Sequence, residues 1–182
     1  MVAVVSHNID PQMHSFKTNS FTISTLALLL GTTASLVSAG NKGGGIQNDN
    51  GALKNKARDG FCMDQPGAST TFGANMLMFG CNGGINQKIS LSPDQKTIQV
   101  LSGNMCLEVA GGNGGAGTNV VQNACDTKKA NQQWTVSAAD QTIRTSYNGN
   151  LCLDVKEGKT DDGTEVIVAN CINNPHQKWS FQ

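Results

Sequence analysis

The chain has 182 residues, with 13 Lys and Arg balanced by 13 Asp and Glu and only 14% charged residues in all. No like-charge run exceeds a pair such as Lys128-Lys129, so no basic face exists to draw in nucleic acid or an anionic membrane, and nucleic-acid partners are set aside. The length points to one domain with an appendage, and low charge with 21 Gly and abundant Asn, Ser and Thr points to a turn-rich, strand-rich fold.

Residues 1–39 read as a signal peptide. From Met13 onward Lys17 supplies a positive start, Leu26 to Leu30 an apolar centre, and Val37-Ser38-Ala39 small residues before Gly40. The twelve residues ahead of Met13 lengthen the leader awkwardly, which makes Met13 the alternative start. A membrane anchor is the competing reading, but Phe21 to Val37 is short and laced with Thr and Ser, whereas a span wants about 20 apolar residues. The mature form is therefore expected to be secreted and without a membrane span. Residues 40–50 are rich in Gly and Asn and read as a flexible lead-in.

From residue 51 the chain says the same thing three times. A short alternating stretch opens each unit: "ALKN" at 52–55, "TIQV" at 97–100 and "TIRT" at 142–145. Alternation with a period of two predicts strands. A second strand follows at "FCMD", "MCLEV" and "LCLDV", then a Gly-rich turn, a third strand before the next Cys, and a fourth at "NQKISL", "NQQWTV" or "HQKWSF". The Gln of this last motif recurs at 87, 132 and 177. Four strands in three copies make twelve. One such unit cannot bury its apolar face alone, so the copies must share a core in a barrel with pseudo-threefold symmetry.

All six Cys fall within these copies. Cys62 and Cys81, Cys106 and Cys125, and Cys152 and Cys171 are each separated by 19 positions. Three equal intervals predict three equivalent local bridges, Cys62–Cys81, Cys106–Cys125 and Cys152–Cys171, one per repeat. Each closes a loop that stabilises the fold by about 3 kcal/mol in the chain-entropy account. No CxxC pair is present and His176 is the single His after the leader, so no zinc site and no cofactor is expected.

The threefold set of Cys, acid, Cys and Gln-x-Trp over about 51–182 resembles the ricin-B-type lectins. The resemblance implies an all-β fold, the β-trefoil. In such lectins each lobe can hold one shallow sugar site. An acid two residues after the first Cys accepts hydrogen bonds from neighbouring hydroxyls. An aromatic two residues before the second Cys stacks on the apolar face of the ring, and an Asn before the Gln takes a further hydroxyl. A charged acceptor makes the stronger hydrogen bond, and a ring covers C–H faces that water hydrates poorly.

Carried over lobe by lobe, the first repeat supplies Asp64, Phe79, Asn86 and Gln87, with Phe72 as a second apolar wall. The second offers Glu108, Asn131 and Gln132 but has Asn123 in place of the aromatic. The third offers Asp154, His176 and Gln177 but has Ala169 there. The competing reading gives the three acids a purely structural role in fixing a turn. That reading is favoured for the second and third repeats, and sugar binding for the first. Trp134 and Trp179 are expected in the core, an indole burying roughly 150–250 Å². Ile89 replaces the indole in the first repeat, so that lobe should pack less surface. The "GGNGGAG" turn at 111–117 lacks the Lys and helix of a phosphate loop.

The sequence thus points to a secreted, non-catalytic lectin for galactose-type or related sugars, with a carbohydrate or glycoconjugate as partner. The alternative is a trefoil scaffold for protein partners, such as an inhibitor or effector, because rigid barrels with variable loops host such functions. An enzyme is not expected. Paired carboxylates for glycoside cleavage need roughly 5–10 Å separation, and the repeat puts Asp64, Glu108 and Asp154 on three different lobes.

Overall fold

The structure is a computed structural model that describes residues 51–112 and 114–182. The expected leader (1–39) and the lead-in (40–50) lie outside the described residues, as does the start methionine.

Among the described residues twelve strands form in chain order. The first lobe holds β1 (Leu53–Asn55), β2 (Phe61–Asp64), β3 (Leu77–Gly80) and β4 (Ile89–Leu91). The second holds β5 (Ile98–Val100), β6 (Met105–Val109), β7 (Thr118–Ala124) and β8 (Trp134–Ser137). The third holds β9 (Thr142–Thr145), β10 (Leu151–Val155), β11 (Thr164–Asn170) and β12 (Trp179–Phe181). This is the all-β trefoil that the resemblance implies. Among the described residues no helix is long and apolar enough to cross a membrane.

Two kinds of junction make the lobes one body. The fourth strand of each lobe pairs antiparallel with the first strand of the next, as β4–β5, β8–β9 and β12–β1, the last closing the ring. The chain start of each lobe also meets its own fourth strand: Ile89, Trp134 and Trp179 donate their N–H groups to the carbonyls of Gly51, Lys96 and Gln141, all at 2.8 Å.

The second junction is made by the loops between second and third strands. Each reaches across to the neighbouring lobe and ends on a glycine with positive φ. Gly73, Gly117 and Gly163 have φ of 77°, 89° and 88°. Their N–H groups bond the carbonyls of Gln122, Val168 and Met78 at 2.8, 2.7 and 2.8 Å. A Cβ is strained in this left-handed region, so glycine is needed at each crossing. Near the pseudo-axis the three equivalent positions Asn75, Asn119 and Glu165 meet. Both Asn amides donate to Glu165 Oε1, at 2.8 and 3.2 Å, while Lys156 bonds Oε2 at 2.6 Å. The Lys156 bond, foremost, holds the Glu165 carboxyl below its ordinary range.

The core lies inside this ring. Trp134 and Trp179 are buried, and each indole N–H donates to a backbone carbonyl of its own lobe, Leu107 at 3.2 Å and Leu153 at 3.0 Å. A buried indole thus leaves no polar atom stranded. Ile89 takes the same place in the first lobe, which contributes the buried methionines Met63, Met76 and Met78 to the shared core. Thioether side chains adapt to irregular space, which suits a lobe that lacks the indole.

Candidate functional site

The disulfides form as the spacing predicts, with Cα–Cα separations of 5.0, 4.9 and 5.1 Å. Each joins the second strand of a lobe to the residue just past the third. The register is the same in all lobes: Cys62 faces Phe79, Cys106 faces Asn123 and Cys152 faces Ala169. Two residues along, Asp64 faces Leu77, Glu108 faces Val121 and Asp154 faces Ile167. Side chains two apart share a sheet face, so each acid lies on the same face as the aromatic position, diagonally across the hairpin.

Gln87, Gln132 and Gln177 anchor this arrangement. All three are fully buried. Gln87 donates from Nε2 to Asp64 Oδ2 (2.8 Å) and the Gly80 carbonyl (3.0 Å), while its Oε1 accepts the Asn82 N–H (2.7 Å). Gln132 makes the same set with Glu108 (2.6 Å), Ala124 (2.8 Å) and Asp126 (2.8 Å). Gln177 repeats it with Asp154 (2.6 Å), Asn170 (2.8 Å) and Ile172 (2.8 Å). The sequence groups these glutamines with sugar contacts. The geometry corrects this: their polar atoms are spent inside the protein, and they hold the acids in place.

The remaining oxygens of the acids separate the lobes. Asp64 takes a second bond at the same oxygen, from Asn86 Nδ2 at 2.8 Å, and among the described residues its Oδ1 accepts none. Glu108 has both oxygens engaged, Oε1 by Asn123 at 3.1 Å and Oε2 by Gln132 and by Lys129 at 3.3 Å. Asp154 likewise gives Oδ1 to His176 at 2.7 Å and Oδ2 to Gln177. Asn131 does not reach Glu108; its amide donates to the Val109 carbonyl at 2.9 Å. The structure thus brings Asp64, Phe79 and Asn86 together. It turns Asn131 away, and it puts His176 against Asp154 and against Gly158, where an added Cβ would lie 3.2 Å from the ring.

An open hollow of about 270 Å³ lies over the first lobe. Asp64, Asn82 and Asn86 give it polar groups; Pro66, Leu77 and the half-buried Phe79 give it apolar walls, beside Gly67. Asn82, Pro66 and Leu77 were not picked out from the sequence, although Asn82 directly follows Cys81 and Pro66 stands two past the acid. Phe72 is not part of this lining. It is 64% exposed and rides on the loop that crosses to the second lobe, where its neighbour Gly73 bonds Gln122. The Phe79 ring is instead backed by the third lobe: a Cβ on Gly163 would lie 3.9 Å from it. Beside it Asp162 Oδ1 accepts the Gly80 N–H at 3.0 Å and Arg58 at 2.7 Å, and the Arg58 guanidinium lies 4.1 Å over the Phe61 ring.

Size does not single out this hollow. Two others measure about 340 and 570 Å³. Most of their charged groups are engaged with neighbours: Lys56 with Gln141, Arg58 with Asp162, Arg144 with Asp140, and Lys178 with Asn173 and the Asp140 carbonyl. The first-lobe hollow differs by an acceptor left free beside a ring. Among the described residues no three of His, Cys, Asp and Glu gather as a metal ion would require.

The model of the ricin-type beta-trefoil lectin domain matches residues 49–179. Comparison with curated proteins gives no match. Solved structures share the fold. The designed threefold-symmetric protein ThreeFoil is 28% identical with a TM-score of 0.65, covering 71% of this chain and 95% of its own. The Rhizoctonia solani agglutinin is 26% identical with a TM-score of 0.63, covering 75% and 97%. A non-toxic homologue of type II RIPs from Momordica charantia (bitter gourd), solved with methyl α-D-galactoside, is 27% identical with a TM-score of 0.61. That match covers 72% of this chain and 46% of the bitter-gourd chain.

Proposed function

Because the chain belongs to the ricin-type β-trefoil lectin family, we propose that it is a secreted, non-catalytic lectin that holds a galactose-type sugar at the first lobe. One observation carries the choice of lobe. Only Asp64, of the three equivalent acids, keeps a carboxylate oxygen without a protein partner among the described residues, and it does so beside Phe79. A sugar presents two adjacent hydroxyls as donors and a C–H face as an apolar plate. Asp64 Oδ1 accepts a charge-assisted hydrogen bond from a hydroxyl, Phe79 covers the plate, and Asn82 and Asn86 supply further amide groups. The Momordica protein was solved with a methyl galactoside, which supports the sugar class. A shallow site of this kind binds weakly alone and gains strength from multivalent display.

The test is retention on galactose-bearing resin together with a glycan array, with Asp64→Asn and Phe79→Ala as controls. Wild type should be retained and eluted by free galactose, and both variants should pass through. Retention equal in wild type and variants would remove the first lobe from the reading. For secretion, the mature protein should begin at Gly40 by intact mass.

A second reading, a scaffold that docks a protein, draws support from the acids of two lobes being engaged internally and from the exposed Phe72 and Ile172. Capture of one defined protein, unaffected by galactose, would favour it.

A further inference from the structure

We propose that Gly84 is a positioning residue of the first lobe: the missing side chain at this position is what lets Asn86 face Asp64. The inference rests on the first-lobe reading above and adds to it a residue that touches no ligand.

Gly84 precedes a short 3₁₀ turn, Ile85–Gln87, with φ −64° and ψ 161°. This is ordinary extended backbone, so no conformational need demands glycine here. The need is for room. A Cβ on Gly84 would lie 2.4 Å from Asn86 Oδ1 and 2.9 Å from Asn82 Oδ1. Real Cβ atoms do not approach so closely, and what must give is the ends of two flexible side chains. Both line the hollow, and Asn86 is one of the two donors that fix Asp64. A methyl at position 84 therefore costs the fold little and the site much. The clash holds whichever way the Asn86 amide is turned, since its oxygen and nitrogen are nearly equal in size.

The second lobe shows the same position filled. Gly84, Lys129 and Asn174 are equivalent: each precedes the 3₁₀ turn of its lobe and accepts the N–H of Gln87, Gln132 or Gln177 three residues on. Lys129 brings a Cβ, and Asn131 there points to the Val109 carbonyl instead of the acid. Its ammonium also reaches Glu108. In the third lobe Asn174 fills the position, and the residue reaching the acid is a His, not an Asn.

The experiment uses ¹⁵N-labelled full-length mature protein, reading the side-chain amide resonances of Asn86 and Asn131 with titration of methyl α-D-galactoside. Gly84→Ala should keep its melting temperature within a few degrees, shift the Asn86 amide pair, and weaken galactoside binding at least tenfold. An unmoved Asn86 pair in folded Gly84→Ala, or undiminished binding, overturns the proposal. Should Gly84→Ala fail to fold, Lys129→Gly asks the same question from the other lobe. The Asn131 pair should then move as its acceptor changes from a backbone carbonyl to Glu108, and an unmoved pair overturns the proposal. If wild type binds no galactoside, the sugar reading fails while the amide shifts still decide the role of Gly84.

Discussion

Replacing Gln87 by Met, a side chain of similar length with no amide, tests whether the buried glutamine is a clamp or a ligand contact. The change strands the Gly80 carbonyl and the Asn82 N–H and removes one of the two donors from Asp64. A polar group left without its partner costs about 1–3 kcal/mol, and a bond to a charged carboxylate is worth about 1.5–3 kcal/mol. The two backbone groups are only part-buried and belong at the lower end, so the total is about 3–5 kcal/mol. With a urea slope of about 1–3 kcal/mol/M, the unfolding midpoint should fall by roughly 2 M. Gln132→Met breaks the same three bonds in the second lobe and should cost a similar amount. The two variants should part company on resin: Gln87→Met loses at least tenfold in galactoside affinity, and Gln132→Met binds as wild type. A loss below about 1 kcal/mol for either variant would refute the clamp, since that is the worth of one ordinary hydrogen bond. Equal loss of binding by both would refute the assignment to the first lobe.

Three further outcomes follow from the same geometry. Replacing Trp134 by Ile, the residue the first lobe uses at its own fourth strand, leaves the buried Leu107 carbonyl unpartnered and should cost about 2–4 kcal/mol in urea unfolding. Removing Cys62 and Cys81 together should cost about 3 kcal/mol and should weaken sugar retention, because Asp64 stands two residues from the bridge. Asp140 sets an acid limb. The Ser137 hydroxyl foremost, then Thr142 and Arg144, hold its carboxyl far below the ordinary carboxylate range. A depressed carboxyl contributes stability above its unfolded pKa of about 3.9 and loses it as pH falls through the folded value. Asp140→Asn should therefore show a flatter decline of melting temperature below about pH 4 than wild type, and an unchanged acid limb would contradict the assignment.

The parts that could be read from the sequence are those written locally and in triplicate. Equal Cys spacing pointed to the bridges, and alternation together with the repeated motifs pointed to twelve strands. The recurring Gln-x-Trp put the indoles in the core. The proximity of Asp64, Phe79 and Asn86 was readable because one repeat holds all three. What escaped depends on contacts between lobes or on a neighbour's bulk. Nothing local says that the loop carrying Phe72 crosses to the second lobe, or that Gly163 backs Phe79. The turn of Asn131 away from Glu108 depends on Lys129, in a loop one residue longer than its counterparts, with seven positions from Cys125 to Gln132 against six from Cys81 to Gln87. His176 matches the Asn position by alignment alone, and only coordinates show its ring against Asp154.

The crossing loops bear on how such a protein can change over time. Asp162 and Gly163 belong to the third repeat, whose own acid is covered by His176, yet they lie against the third strand of the first, Asp162 on the Gly80 N–H and Gly163 near the tip of the Phe79 ring. A repeat whose own acid is engaged internally thus still serves its neighbour's structure. Erosion there should be uneven, free at the acid's surroundings and arrested at the loop that leans next door. Grafting the first repeat alone into another threefold host would carry the acceptor and leave its backing behind.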